Sequence, residues 1–187
     1  ANGDAGMAML VTHLSAAAGA FTWMCVEWLK FGKPSALGVV TGMVAGLGTI
    51  TPASGFVGPA AALVIGTTAG LVCFFATLTL KRTLKIDDSL DVFPVHGVGG
   101  ILGTLAVGVF ASSELGVFSG QGLAEGVSIG HQLLVQIGGI LAVGLYTALL
   151  TWGLLRLTGM LVSLRVSVEE ETEGLDIVLH NERGYDL

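Results

Sequence analysis

Charge is what this sequence has least of. Only 12% of its 187 residues are Asp, Glu, Lys or Arg, about half the roughly 25% of an ordinary soluble domain. Its eight basic side chains form no long run, and nothing in their arrangement points to nucleic acid as a partner. Cysteine is as scarce: Cys25 and Cys73 both fall within apolar runs and lack C-x-x-C spacing. They read as small buried hydrophobes and not as a disulfide or a metal pair. No phosphate loop, nucleophile–base pair or paired catalytic carboxylate is present, so the chain does not read as an enzyme and no cofactor is expected. The opening ANGDAG has no basic n-region, which excludes a secretory signal and reads as an internal or processed start. Alternating ten-residue strands are missing too, which argues against a membrane β-barrel.

What remains is apolar. Hydrophobic residues make up 52% of the chain, glycine contributes 29, and the mean hydropathy is +0.82. Five apolar segments stand out, at roughly Met7–Trp28, Ala36–Ser54, Val57–Leu80, Ser89–Ala111 and Ile129–Leu155. Each approaches the ~20 residues that cross ~30 Å of hydrocarbon at 1.5 Å per residue. In lipid the backbone must satisfy its own hydrogen bonds, and helices do so segment by segment. The expected fold is therefore all-α: a polytopic membrane bundle of about five transmembrane helices over residues 1–164, followed by a tail over 165–187.

The few basic residues then set an orientation. Lys30 and Lys33 follow the first segment, Lys81, Arg82 and Lys85 the third, and Arg156, Arg165 and Arg183 end or follow the fifth. With five spans all eight fall on one side, whereas four or six spans would divide them. Basic residues collect in short cytoplasmic loops. This predicts an outer N-terminus and a cytoplasmic C-terminus. Glycines at small-xxx-small spacing, namely Gly38, Gly42 and Gly46, Gly66 and Gly70, Gly99 and Gly103, predict close helix packing and carry no chemistry. Pro52 and Gly55 in TPASG predict a tight turn before the third span.

Ionisable groups at membrane depth are costly and draw attention for that reason. His96, in DVFPVHGVGG, lies about seven residues, or ~10 Å, into a fourth helix that starts near Ser89. A neutral imidazole offers one donor and one acceptor and can share a proton without a fixed buried charge. Gly97 and Gly99 leave room beside the ring. His13 has Thr12 and Ser15 close by to satisfy it, His131 is expected at an interface, and His180 lies in the tail. None of them has a second ligand at metal spacing. Of Asp87, Asp88 and Asp91, at least one is expected to cap the fourth helix, and the others to attract a cation or anchor Lys81, Arg82 and Lys85. The acid-rich tail still carries Leu175, Ile177, Val178 and Leu179, enough apolar surface to dock on a partner.

These residues match a family pattern. KRTLKIDDSLDVFPVHGVGGILG resembles the region around the tenth transmembrane helix of Amt/Mep/Rh ammonium transporters, which reads close to D-D-x-x-D-V-x-x-V-H-G-x-x-G. ITPASGFVGP resembles that family's outer turn, GHQLLVQ its last span, and LRVSVEEETEGLD its cytoplasmic tail. The similarity runs in order along essentially the whole chain.

The resemblance implies helices seven to eleven of an eleven-helix protomer, in a homotrimer in the bacterial inner membrane. It makes His96 the second of a twin-histidine pair lining a pore for ammonium or ammonia, with Asp91, Gly97 and Gly99 supporting the pore helix. It makes Arg165, Glu173, Gly174, Leu175 and Asp176 part of a regulatory tail that meets neighbouring protomers and a PII-type protein such as GlnK. The first pore histidine, the outer aromatic recognition site and the phenylalanine gate belong to the family's first half, which is not in this sequence. The alternative is an Amt-like sensor that binds ammonium and signals through its tail with little flux.

Overall fold

The computed structural model describes residues 2–184, and among them it contains helices and no strands. Internal contacts divide the chain into a first unit ending at Ile140 and a second beginning at Leu141.

In the first unit, α1 (Gly3–Phe31) starts where the Asn2 side chain accepts the Ala5 N–H at 3.0 Å. It stops at Gly32, whose φ of 81° suits glycine alone and lets its N–H reach the Trp28 carbonyl. The next helix, α2 (Ala36–Ile50), begins at Ser35, whose hydroxyl accepts the Gly38 N–H at 2.9 Å. α3 (Pro59–Leu78) has proline at its first turn, where the missing N–H costs nothing. It runs on through a wide π turn at Thr79–Thr83. A second π turn at Phe93–Val98 leads into α4 (Gly99–Phe110), and α5 (Ile129–Leu161) begins in this unit and continues into the next.

Among the described residues, four helical stretches are long and apolar enough to cross a membrane: Gly3–Phe31, Pro59–Thr83, Phe93–Phe110 and Ile129–Leu161. The second expected segment differs. Its helix has 15 residues, about 22 Å of rise, because Pro52 lacks a donor and residues 51–56 leave the helix as turns. The fourth segment also begins later than expected, at Phe93 and not near Ser89. Asp91 adopts a left-handed φ of 56°, which interrupts the chain just before it. The fifth is longer than expected and reaches Leu161, with Arg156 kept on the helix by its guanidinium stacking 5.3 Å from the Trp152 ring.

Helix packing in this unit is set by backbone. The Ser15 hydroxyl donates to the Gly46 carbonyl at 2.9 Å, joining α1 to α2. A Cβ added to either Gly46 or Gly66 would overlap the Ser15 carbonyl oxygen, and one on Gly103 would overlap that of Thr49. So α1 meets both α2 and α3, and α4 meets α2, at distances only glycine allows. Apolar side chains fill the remainder in two clusters, one around Val11, Ile50, Ala61 and Ile65, the other around Trp23, Ala45, Cys73, Phe74 and Val95. Cys73 is fully buried and Cys25 half-buried, and both are free thiols.

The basic residues of α1 and α3 gather at one end of the unit. Arg82 lies 5.1 Å from the Phe31 ring, and Lys30 5.6 Å from that of Phe75. In the second unit, every residue of α5 from Leu141 onward is exposed although the helix is apolar all round. Two short helices follow, α6 (Val168–Glu173) and α7 (Leu175–His180).

Gly66→Ala should destabilise the protein by about 1–3 kcal/mol, the usual cost of overpacking. Gly6→Ala, whose added methyl meets nothing within 4 Å, should leave stability unchanged or slightly raised. Thermal unfolding of the two variants in detergent checks the difference.

Candidate functional site

The KIDDSLD segment divides its acids among separate tasks. Asp88 reaches forward with both carboxylate oxygens, accepting the Val92 N–H at 2.9 Å and the Phe93 N–H at 2.8 Å. These are orphan donors of the fourth span, and a negative group there also meets the positive end of the helix dipole. Asp87 accepts a long hydrogen bond from the Ser89 hydroxyl, 3.4 Å. Asp91 turns away from the helix axis and pairs with Lys81 at 2.7 Å, its side chain only 16% exposed. That ion pair ties the end of α3 to the start of the fourth span.

The π turn that follows carries His96. Pro94 cannot donate a backbone hydrogen bond, and Val95 N–H bonds to the Asp91 carbonyl at 3.0 Å. Pro94 and Val95 are buried, whereas the ring of His96 is exposed on the face this chain leaves open. With the helix starting at Phe93, His96 sits in its first turn, ~5 Å from the start and not the ~10 Å expected from the sequence. π turns that interrupt regular helices are frequent at functional sites.

Three glycines surround this turn in different ways. A Cβ on Gly97 would meet the Phe93 ring at 3.0 Å, so Gly97 makes space within the turn itself. One on Gly99 would come within 2.8 Å of the Thr49 hydroxyl and 3.5 Å of the Cys73 sulfur. Gly99 therefore seats the start of α4 on α2 and α3 together. The third, Gly48 of α2, lies beside His96: its missing Cβ would sit 3.7 Å from the ring Nδ1 and 3.5 Å from the Val95 carbonyl.

A second polar cluster lies where α1 hands over to α2. Glu27 accepts the Ser35 N–H at 2.9 Å and the Ser35 hydroxyl at 3.0 Å, and Ser35 in turn caps α2. Glu27 and Asp91 line the same cavity of about 180 Å³, walled by Trp23, Phe31 and Phe74. Sequence reasoning missed Glu27, Ser35 and Gly48. Glu27 did carry a signal, as a lone acid inside an apolar segment. Gly48 carried none, since its role depends on which helix faces the His96 ring.

The other histidines lie elsewhere. His13 Nδ1 is 2.8 Å from the Met9 carbonyl one turn back, while Thr12 bonds to Ala8 and Ser15 to Gly46. His131 is exposed near the start of α5, with its N–H on the Ser128 hydroxyl. His180 ends α7. Among the described residues, no group of three or more His, Cys, Asp or Glu is placed to hold a metal ion.

In the second unit, Ser167 and Glu170 form a reciprocal capping box at the start of α6, with bonds of 3.2 and 2.8 Å. Glu173 ends α6. Gly174, with φ 105°, is the joint, and Leu175 and Asp176 open α7. Arg165 reaches Glu171 at 3.6 Å with both side chains largely in solvent, a pair that adds little stability.

Asp88→Ala, which removes an N-terminal cap with two acceptors, should cost about 1–2 kcal/mol. It should also fray the turn bearing His96. Thermal unfolding gives the first effect, and faster hydrogen exchange at the Val92 and Phe93 amides gives the second.

The profile of the Ammonium Transporter Family matches residues 1–185. An ammonium transporter from Aquifex aeolicus is 43% identical over the whole chain, which spans 43% of that protein. Ammonium transporter Amt1 of Archaeoglobus fulgidus is 43% identical over 99% of the chain and 46% of its own length. Among solved structures, one described as a sensor Amt protein superposes with a TM-score of 0.85 at 31% identity, covering 96% of this chain and 43% of its own. Mep2 of Saccharomyces cerevisiae superposes at 0.72 with 37% identity, covering 86% of this chain and 38% of its own. The chain thus spans less than half the length of the relatives it matches, and the two sequence relatives are named as ammonium transporters. With its profile match over residues 1–185 and its membrane-length helices, the chain is a multi-pass membrane segment belonging to the ammonium transporter family.

Proposed function

We propose that this chain forms one wall of a pore for ammonium or ammonia, with His96 as its proton-handling residue. The observation that carries the reading is the His96 ring itself. It is an ionisable side chain held by a π turn within an apolar span and exposed on an open face. Intramembrane ionisable groups face a bundle interior or a water-filled path, not lipid. A neutral imidazole can accept a proton on one nitrogen while donating from the other, which suits a substrate that enters as a cation and crosses an apolar constriction as a neutral base.

The facing wall, with the other member of the histidine pair, belongs to a longer protein built from two related halves. The Lys81–Asp91 pair, with Gly97 and Gly99, fixes the start of the pore helix, so these residues support His96 and do not touch substrate. Lys30, Lys81 and Arg82 mark the cytoplasmic side by the positive-inside rule, which puts the chain's first residues outside. A homotrimer in the inner membrane is the proposed assembly. The joint at Glu173, Gly174, Leu175 and Asp176, with Arg165 just before α6, is the proposed contact for a neighbouring protomer or a PII-type regulator.

One observation favours a second reading. The superposition at TM-score 0.85 is with a protein described as a sensor, and a sensor would bind ammonium with little flux and signal through the tail. Ammonium-evoked current from the full-length protein in proteoliposomes separates the two. A transporter gives current that His96→Ala reduces at least about a hundredfold, the lower end of what one proton-transfer group contributes. Native-like current in His96→Ala would overturn the relay assignment, and ammonium binding without current would favour the sensor.

A further inference from the structure

We infer that Thr49 is a positioning residue for His96: its side-chain oxygen and its carbonyl form the seat that fixes where α4, and the π turn ahead of it, stand against α2. The inference rests on the reading of His96 as the proton-handling residue and adds to it the residue that sets the ring's place.

Thr49 is fully buried, and among the described residues its hydroxyl has no hydrogen-bond partner. Other threonines of the spans behave differently. Thr12, Thr41, Thr51, Thr68, Thr79 and Thr104 each donate to the carbonyl four residues back, at 2.7–2.9 Å. A helical threonine reaches that carbonyl through its choice of χ1 rotamer, and for Thr49 the carbonyl four back is that of Ala45. Thr49 forgoes the bond, although an unpaired buried hydroxyl is costly to keep.

The reason lies in what the hydroxyl faces. The point where a Gly99 Cβ would stand is 2.8 Å from the Thr49 hydroxyl oxygen and 3.5 Å from the Cys73 sulfur. The thiol adjoins the hydroxyl but is a weak partner that leaves it unpaired. One turn along α4, Gly103 lies so near the Thr49 carbonyl that a Cβ would overlap it. Both glycines of the α4 seam thus rest on oxygens of one residue. Turning the hydroxyl back to Ala45 would take its oxygen off Gly99 and leave the γ-methyl or a gap in its place. A methyl stands about 0.3 Å further off than an oxygen, by the usual C···C and C···O contact distances.

That difference has a short path to the ring. Gly99 directly follows the π turn Phe93–Val98, and its N–H bonds back to the His96 carbonyl. Val95, next to His96, is 2% exposed and packed in one cluster with Cys73 and Ala45, which leaves the turn little room to absorb a shift. Thr49, Cys73, Val95, Gly99 and Gly103 are all buried within this chain, so the seat is complete without a facing wall.

The test uses the full-length protein in proteoliposomes, with ammonium-evoked current per folded protein measured in native protein, Thr49→Val, Thr49→Ser and His96→Ala, and thermal unfolding measured in detergent. Thr49→Ser keeps the oxygen and loses a buried methyl. It should unfold at a lower temperature and keep the native maximal current. Thr49→Val keeps the methyl and replaces the oxygen. Its maximal current should fall about fourfold at an unchanged half-saturating ammonium concentration, since a misplacement of about 1 Å can cost about a hundredfold and 0.3 Å about a third of that on a logarithmic scale. Native maximal current in Thr49→Val overturns the inference. So does current that follows stability, with Thr49→Ser the weaker variant, which makes Thr49 a packing residue. Native-like current in His96→Ala, or no current from native protein, overturns the reading beneath the inference, a result distinct from a His96-dependent current that is indifferent to Thr49.

Discussion

Everything in the first unit hangs on how closely three backbones approach at Ser15. Its hydroxyl bonds to the Gly46 carbonyl, and its own carbonyl occupies the space where Gly46 or Gly66 would carry a side chain. Between helices in lipid no water is expelled, so attraction comes from close dispersion contact and a few polar bonds. A helix trio joined in this way has one register. That register brings Gly48 and Thr49 of α2 to the start of α4, and it fixes the height at which His96 is presented. The placement of His96 is downstream of a packing contact that carries no chemistry of its own.

The polar groups at the ends of the spans divide the remaining work without competing. Asp88 satisfies helix N–H groups, Asp91 neutralises Lys81, and Glu27 holds Ser35, which caps α2. Each carboxylate has a specific donor, which is what permits acids next to apolar spans. The left-handed backbone of Asp91 links two of these functions. By reversing the chain there, it frees Asp88 to reach the helix amides and turns its own carboxylate toward α3.

Much of this was legible in the sequence, and the reasons differ by feature. Helical class follows from segment length and missing charge, which are local properties, whereas the second of the five expected spans is a helix of only 15 residues. The glycine seams were visible as spacing, and Gly42, Gly46, Gly66, Gly70, Gly99 and Gly103 do meet other helices, but Gly38 instead adjoins a side chain, Glu27. The start of the fourth span was misjudged by four residues because hydrophobicity does not register a left-handed residue or a π turn. His96 could be found as a histidine in an apolar context. Gly48 could not, because its meaning lies in a contact between residues 48 positions apart, and no pattern along the chain encodes which face of α2 looks at the ring.

The open faces of the chain carry a last consequence. Within Leu141–Leu161, α5 is apolar on every side and exposed throughout, which is how a helix facing lipid or another apolar surface is composed. The face bearing His96 is composed differently, with an exposed imidazole beside the bare Gly48. Lipid is a poor neighbour for such a face, since an imidazole in hydrocarbon loses its water without replacement. On the pore reading the two surfaces therefore have different fates: the first can meet lipid directly, and the second needs a wall across from it that can also bond. A chain less than half the length of its relatives is in keeping with that need, because the partner wall of a two-halved transporter is the remaining half of the same protein.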